Sequence, residues 1–241
     1  MNGAATLDHL RAAELEPVGW LAGSSNHAMV VRARAGAADL LAVWKPTAGE
    51  RPLFDFPIGT LTRREVAAFQ VSEALGWGIV PPTTLRDGPA GEGMLQAWID
   101  VDPAADVIAM VNEDDPRLRR VALFDAILNN TDRKAGHLLP VAGGHLFVVD
   151  HGVTFSTVPK LRTVLWAWEG VPFDEEEAAN LAHVAEALGT PSRYGPLAVA
   201  LGDLLSASEI QATRMRVAEL IATGVFPSPN PDWPAIPWPP Y

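Results

Sequence analysis

The sequence predicts an α+β chain in two lobes, a small antiparallel β-rich lobe followed by a mainly helical one. Three observations predict it. Short runs with strand character, separated by turn residues, fill most of the first part of the chain. Helical apolar periodicity dominates the second part. Between them Asp100-Val101-Asp102-Pro103 reads as a hinge, so the boundaries fall at residues 1–99 for the first lobe and 100–226 for the second. Residues 227–241 form a tail with seven prolines, expected to be polyproline II or irregular.

Bulk composition narrows the function. The 241 residues are 48% hydrophobic and 20% charged, ordinary for a globular chain with a substantial core. With no cysteine there is no disulfide, no thiolate nucleophile and no cysteine-ligated zinc. A formal charge of −11 opposes binding to nucleic acid, and the basic clusters Arg63-Arg64, Arg117 to Arg120 and Arg133-Lys134 are short. The N-terminus lacks a secretion-signal pattern, and no apolar run reaches the roughly 20 residues of a membrane span. A soluble, cytoplasmic protein without an integral membrane segment is expected.

In order, residues 5–16 read as an amphipathic helix with Leu7, Leu10 and Leu15 on one side, and residues 17–22 as a strand. The small polar turn Gly23-Ser24-Ser25-Asn26-His27 leads to a second strand at 28–34, and a third at 40–45 ends in Lys45. In such a meander the backbone N–H groups of the loop can cover phosphates, and a lysine on the third strand can reach the same place. Lys45 follows the apolar Ala42-Val43-Trp44, so its charge needs a partner or a ligand unless it ends the strand in water. Residues 46–60 hold three prolines and read as a packed-down loop. The helix at 61–75, capped by Thr60 or Thr62, carries Glu65 near its inward stripe, in position either to pair with Lys45 or to remain solvated beside Arg63 and Arg64. Strands at 79–86 and 93–99 complete the sheet. The fifth delivers Gln96 and Trp98 to the connecting segment, where a flat aromatic ligand would be read at its edge.

The second lobe is expected to hold helices at 104–111, 117–128, 158–168, 174–188, 197–205 and 208–222, the last capped by Ser206 or Ser208 and the helix at 174–188 favoured by an acidic first turn. In the tail, Trp233, Trp238 and Tyr241 either dock on the chain itself or serve a partner with an aromatic groove. The chemistry concentrates in NNTDRKAGHLLPVAGGHLFVVDHG, residues 129–152. Leu138 to Val141 and Leu146 to Val149 read as a hairpin turning at Gly143-Gly144, which brings Asp132 and Asp150 together. Two carboxylates with Arg133, Lys134 and His137 between them suggest a divalent cation and a phosphorylated ligand. An ordinary charged surface hairpin is the competing reading.

In this order the pieces resemble the protein-kinase-like fold, and the local words resemble the phosphatidylinositol 3/4-kinase superfamily. Asn130-Thr131-Asp132-Arg133 is similar to the NTDR word of type II phosphatidylinositol 4-kinases, and Asp150-His151-Gly152 stands where DFG or a related triplet is expected. Trp44-Lys45-Pro46 with Gly49-Glu50-Arg51-Pro52 is similar to the lysine-proline segment of that group. Over roughly residues 17–225 the chain resembles the small actinobacterial SCO-type phosphatidylinositol-kinase-like proteins. The resemblance implies a kinase using ATP with Mg²⁺ or Mn²⁺. Lys45 would bind the α/β-phosphates and Glu65 would orient it, while Ser24, Ser25, Asn26 and His27 cover the phosphates. Asp132 would act on the acceptor hydroxyl, Lys134 would neutralise the transferring phosphoryl group, and Asp150 would ligate the metal. One departure stands out. His137 occupies the position of a metal-ligating asparagine, and imidazole suits Mn²⁺ better than Mg²⁺. The acceptor, a hydroxyl on a protein, a small metabolite or a lipid, is not readable. A nucleotide-binding regulatory protein without turnover, a nucleotidyl transferase on the same scaffold, and an unrelated α+β protein are the alternatives.

Overall fold

The computed structural model describes residues 3–21 and 27–241. A helix, α1 (Gly3–Ala12), precedes strands β1 (Glu14–Trp20), β2 (Met29–Ala35) and β3 (Ala38–Pro46). Helix α2 (Leu61–Ala74) follows, then β4 (Thr83–Gly88) and β5 (Gly91–Ala97). The five strands form one antiparallel sheet in the order β1-β2-β3-β5-β4. The expected first helix is therefore too long by a turn, because residues 14–16 already pair with Arg32 to Arg34 of β2. Pro17, which has no N–H to give, is tolerated because β1 is an edge strand, and the register shifts between Pro17 and Gly19.

Strand alternation gives the sheet two faces. Val31, Ala33, Ala42, Trp44 and Leu95 pack with Leu10 and Ala13 at the end of α1 as a small core of their own. Val43 and Lys45 alternate with these and point the other way, as do their cross-strand partners Val30, Gln96 and Met94. Trp44 fills the space that two glycines leave open. A Cβ on Gly93 would stand 2.5 Å from the Lys45 carbonyl oxygen, and one on Gly88 would stand 2.6 Å from the Trp44 ring. Only glycine lets β5 and β4 come this close to the lysine-bearing strand.

The helical lobe holds α3 (Val107–Asn112), α4 (Arg117–Leu128), a hairpin of β6 (Leu138–Pro140) and β7 (Leu146–Val148), α5 (Glu175–Leu188), a two-residue pair β8 (Gly189–Thr190) and β9 (Arg193–Tyr194), α6 (Pro196–Leu201) and α7 (Ala207–Thr223). The larger core joins α2, α4, the hairpin and the last three helices. Leu123, Phe124, Ile127 and Leu128 on α4 are completely buried, each contributing roughly 1.5–3 kcal/mol of apolar burial. α4 is the central rod of this lobe, and its C-terminus points at the loop that carries Asp132.

Capping follows the sequence signals, with one exception. Asp174 with Glu177 and Ser206 with Glu209 form reciprocal capping boxes on α5 and α7. At α2 neither threonine caps with its side chain in the ordinary way. Glu50 instead reaches over from the loop and accepts from the Thr62 backbone N–H at 2.8 Å and from its hydroxyl at 2.9 Å. The helix expected at 158–168 is absent. That stretch, interrupted by Pro159, is irregular because its backbone pairs instead with the loop after α4: Arg162 N–H donates to Asn130 O, Arg133 N–H to Arg162 O, and Val164 N–H to Arg133 O.

The tail docks on its own chain, mainly through backbone atoms. Thr163 N–H and the Trp166 indole both donate to Ala235 O, Ala135 N–H donates to Pro240 O, and the Asn230 amide donates to Pro159 O. Trp233 sits within 5.6 Å of the Lys160 ammonium, but Trp238 is 86% exposed and anchors nothing.

Candidate active site

α4 ends at Asn129, whose φ of 52° is left-handed, a conformation asparagine tolerates better than most residues. Its amide donates to Ser156 O and Val158 O, and its side-chain oxygen accepts from Lys160 N–H. The next residues are held from below by Asp125. This aspartate lies in the apolar helix α4 and is fully buried. It accepts from Arg133 Nε and Nη2, at 3.0 to 3.2 Å, and from the Asn130 amide at 2.8 Å. Asn130 in turn accepts from Asp132 N–H at 3.0 Å. A buried ion pair thus sets the backbone on which Asp132 stands. Arg133 is therefore a structural cation rather than part of the reactive surface. Asp125 and this role of Arg133 were missed from the sequence. A carboxylate three residues before Leu128 and one after Phe124, inside an otherwise apolar helix, was the available signal.

The hairpin returns the chain to Asp150, which also has a left-handed φ, of 63°. A non-glycine residue there stores modest strain of a kind that clusters at functional sites. Its Oδ1 accepts from Lys45 Nζ at 3.1 Å, and its Oδ2 lies 3.4 Å from His137 Nε2. Lys45 Nζ also donates to Glu65 Oε1 at 2.6 Å. The other oxygen of Glu65, Oε2, accepts from the His151 backbone N–H at 2.8 Å. Glu65 therefore ties α2 both to the lysine of β3 and to the backbone after Asp150. Asp132 forms its own ion pair, with Lys134 Nζ at 3.2 Å from Oδ2.

Electrostatics follow from these contacts. Burial alone would lower the Lys45 pKa, but the carboxylates of Asp150 and Glu65 more than reverse it, so the ammonium stays charged. Lys45 holds the Asp150 carboxyl well below the usual range against the opposing effect of burial. Burial lifts the Glu65 carboxyl, with Lys45 and the His151 N–H acting against the lift. Burial also raises Asp132, with Lys134 opposing. His137 is pushed down to about 4 by burial and is a neutral imidazole. Its Nδ1 faces the Lys134 N–H at 3.5 Å, which favours the tautomer with the ring proton on Nε2, 3.4 Å from Asp150 Oδ2. In this tautomer Nε2 would have to release its proton to ligate a cation. His151 is driven well below its ordinary value by burial first and by Arg133 second. Its Nε2 accepts from Arg133 Nη2 at 2.8 Å, while its buried Nδ1 has no hydrogen-bond partner among the described residues.

The fold brings together Lys45, Glu65, Asp150 and His137, with Asp132 and Lys134 on the adjoining loop. Among the other expected site residues, Gln96, Trp98 and His27 have their contacts elsewhere. Gln96 is buried and donates its amide to Thr83 Oγ1 at 2.9 Å. Trp98 donates its indole N–H to Asp100 and its backbone N–H to Leu41 O. It lines a cavity of about 580 Å³ with Leu41, Ala97, Ile99 and Phe147. A cavity of about 10 Å³ lies beside Lys45, bounded by Glu50, Thr62 and Gly152. His27 is exposed, with Nδ1 3.3 Å from Gly49 O. Ser24, Ser25 and Asn26 lie outside the described residues.

No family model matches the chain. Over 261 aligned positions it is 41% identical to Protein Rv2133c of Mycobacterium tuberculosis, an alignment spanning 94% of this chain and 92% of that protein. The chain belongs to the Rv2133c family. Among solved structures, this Rv2133c-family chain is similar to the crystal structure of a Helicobacter pylori proinflammatory kinase, CtkA. The TM-score is 0.52 and the identity 11%, over 90% of this chain and 94% of that one. At that identity the likeness establishes the fold: the Rv2133c-family chain has a kinase-like α+β architecture.

Proposed function

We propose that this protein is an ATP- and divalent-metal-dependent phosphotransferase of the phosphatidylinositol-kinase-like group, moving the γ-phosphoryl group to a hydroxyl acceptor. The convergence of Lys45, Glu65 and Asp150, carried on β3, α2 and the segment after β7, supports the reading most directly. Lys45 is a charged donor fixed by two carboxylates, so it can hold phosphate oxygens at little cost in side-chain order. Asp150 remains ionised and presents one oxygen toward His137 and one toward Lys45, a suitable anchor for Mg²⁺ or Mn²⁺. A cation there would neutralise charge on the bridging phosphates. Asp132 would accept or orient the proton of the acceptor hydroxyl, and Lys134 beside it would balance the charge that develops on the transferred group.

The second reading, nucleotide binding without turnover, draws on His137. A neutral imidazole protonated on Nε2, the nitrogen nearest Asp150, does not supply the second metal ligand of an active kinase. Transfer of label from γ-labelled ATP with Mg²⁺ and, separately, Mn²⁺ distinguishes the two. For an active phosphotransferase, Asp132→Asn lowers the rate by about 10²–10⁴-fold while leaving nucleotide-dependent thermal stabilisation in place. At about one hundred times its Kd, ATP with metal stabilises the fold by about 2.7 kcal/mol. Stabilisation without any label transfer establishes the second reading, and transfer from α- but not γ-labelled ATP establishes nucleotidyl transfer. The absence of any stabilisation removes all three.

A further inference from the structure

A second cavity lies away from the lysine-carboxylate group, on the far side of the loop that carries Asp132. It measures about 400 Å³ and sits between the end of α4, helix α7 and the beginning of the tail. Its walls are largely apolar, with Leu161, Leu220 and Phe226 prominent, and Asn129 and Asn230 add polar edges. That size and mixture suit a small organic ligand oriented by a few polar groups.

The one arginine of its lining is unusual. A guanidinium offers five N–H donors. Arg216 places Nε on Ile127 O at 2.9 Å, Nη2 on Thr213 Oγ1 at 3.2 Å and Nη1 at the 3.5 Å limit from Ser156 O. All three acceptors are neutral, so two donors remain free and no carboxylate is hydrogen-bonded to the guanidinium among the described residues. The bond to Ile127 O answers one of the free carbonyls at the C-terminus of α4, where a cation is favoured. That accounts for the orientation of Arg216 but not for the free donors of a half-buried guanidinium facing a cavity. Burial pushes its pKa down to about 10, against a weaker attraction from Glu219 on the same helix, which also lines the cavity. By comparison, three fully buried cations are each matched by a carboxylate: Arg133 by Asp125, Arg64 by Glu209, and Lys160, which also lines the cavity, by Asp55. A half-buried guanidinium with free donors and no paired carboxylate, beside a largely apolar cavity, is the arrangement that a carboxylate with an apolar body would complete.

We propose that the cavity between α4, α7 and the tail is a binding site for a small amphiphilic carboxylate, with Arg216 taking the carboxylate and the Leu161, Leu220 and Phe226 wall taking the apolar part. Asn129, the left-handed residue that leads into the Asp132 loop, forms part of the same wall, which places the site against the catalytic loop from behind. The site is independent of the phosphotransfer reading, since it is defined by binding alone.

Isothermal titration of the full chain with octanoate, with octanol and with inorganic phosphate tests it. The expected result is saturable one-site binding of octanoate, with octanol and phosphate each at least about tenfold weaker, since each lacks one half of the match. Arg216→Gln weakens octanoate by a similar factor. Because that variant also loses a helix-end contact, Thr223→Trp serves as the second probe. Thr223 lines the cavity from an exposed position, so the indole fills the mouth without disturbing the core, and octanoate binding is lost while the unfolding midpoint is kept. Octanoate that binds no better than octanol, binds undiminished to both variants, or gives no saturable heat overturns the proposal.

Discussion

At the scale of single residues, Asp125 bears the most on the site while never facing it. It neutralises Arg133, receives the Asn130 amide, and through Asn130 fixes the backbone N–H of Asp132. Asp125→Ala leaves a fully buried guanidinium without its counter-ion, and the expected loss is about 3–5 kcal/mol of stability. Urea unfolding of the variant measures it; a loss under about 1 kcal/mol would mean that the pair is not the foundation described here. Glu65 plays a comparable part on the other side of the cleft. Its two oxygens serve Lys45 and the backbone of His151 separately, so a substitution there disturbs two elements at once.

At the scale of elements, the loop carrying Asp132 is the middle of a layered arrangement. The irregular segment around residues 160–166 pairs with it on one side, and the tail lies against both. Proline-rich sequence suits this use, because polyproline backbone offers carbonyls while requiring few N–H partners. Deleting residues 235–241 removes the acceptors of Thr163 N–H, Trp166 Nε1–H and Ala135 N–H. At roughly 1 kcal/mol for each hydrogen bond, the truncated protein is expected to unfold at lower urea concentration. If the chain carries the proposed phosphotransfer, kcat is expected to fall with less change in KM for ATP, because the proposed nucleotide contacts, Lys45 and Glu65, lie on β3 and α2, away from the tail. An unchanged midpoint together with unchanged kcat would show that the tail is an ornament of the fold. The loop at residues 51–59 resembles the tail in part. Asp55 pairs with Lys160 and Phe56 packs under Lys160 and Arg64, while Phe54 and Ile58 on either side stay 95% and 83% exposed.

At the scale of the whole molecule, the pH response follows from two buried neutral histidines. His137 and His151 have folded-state pKa values lowered by burial, to about 4 for His137. An unfolded histidine titrates near about 6.5. Below that pH the unfolded chain takes up protons that the folded chain refuses, so stability is complete above about pH 6.5 and declines as the pH falls toward the folded value, by up to about 1.4 kcal/mol per pH unit for each histidine. Asp132 and Glu65 act in the opposite sense at lower pH, since their raised folded-state pKa values favour the folded state as they protonate. Asp150, with its lowered value, keeps its ion pair with Lys45 throughout this window. Urea titrations at about pH 7.5 and about pH 5.5 check the sign. His137→Asn is expected to flatten the slope, and a wild-type slope of zero would contradict the burial of both rings. The acidic chain as a whole holds no helix long and apolar enough to cross a membrane among its described residues.

The sequence by itself determined the order of the five strands of the sheet, α4 from Arg117 to Leu128 without error, and the hairpin between Asp132 and Asp150, and it held the pairing of Lys45 with Glu65 as one of two readings. Those features rest on local periodicity, on turn glycines, and on charges placed where burial demands a partner. Tertiary structure decided the rest. It overrode the helical pattern at 158–168, because the Asp132 loop needed backbone partners that a helix would have used internally. It moved the cap of α2 from a threonine to Glu50, ten residues upstream of Thr60, because a packed loop brought that carboxylate to the helix end. And it placed the Lys134 N–H and the Asp150 carboxylate at the two ring nitrogens of His137, the groups by which its tautomer is chosen.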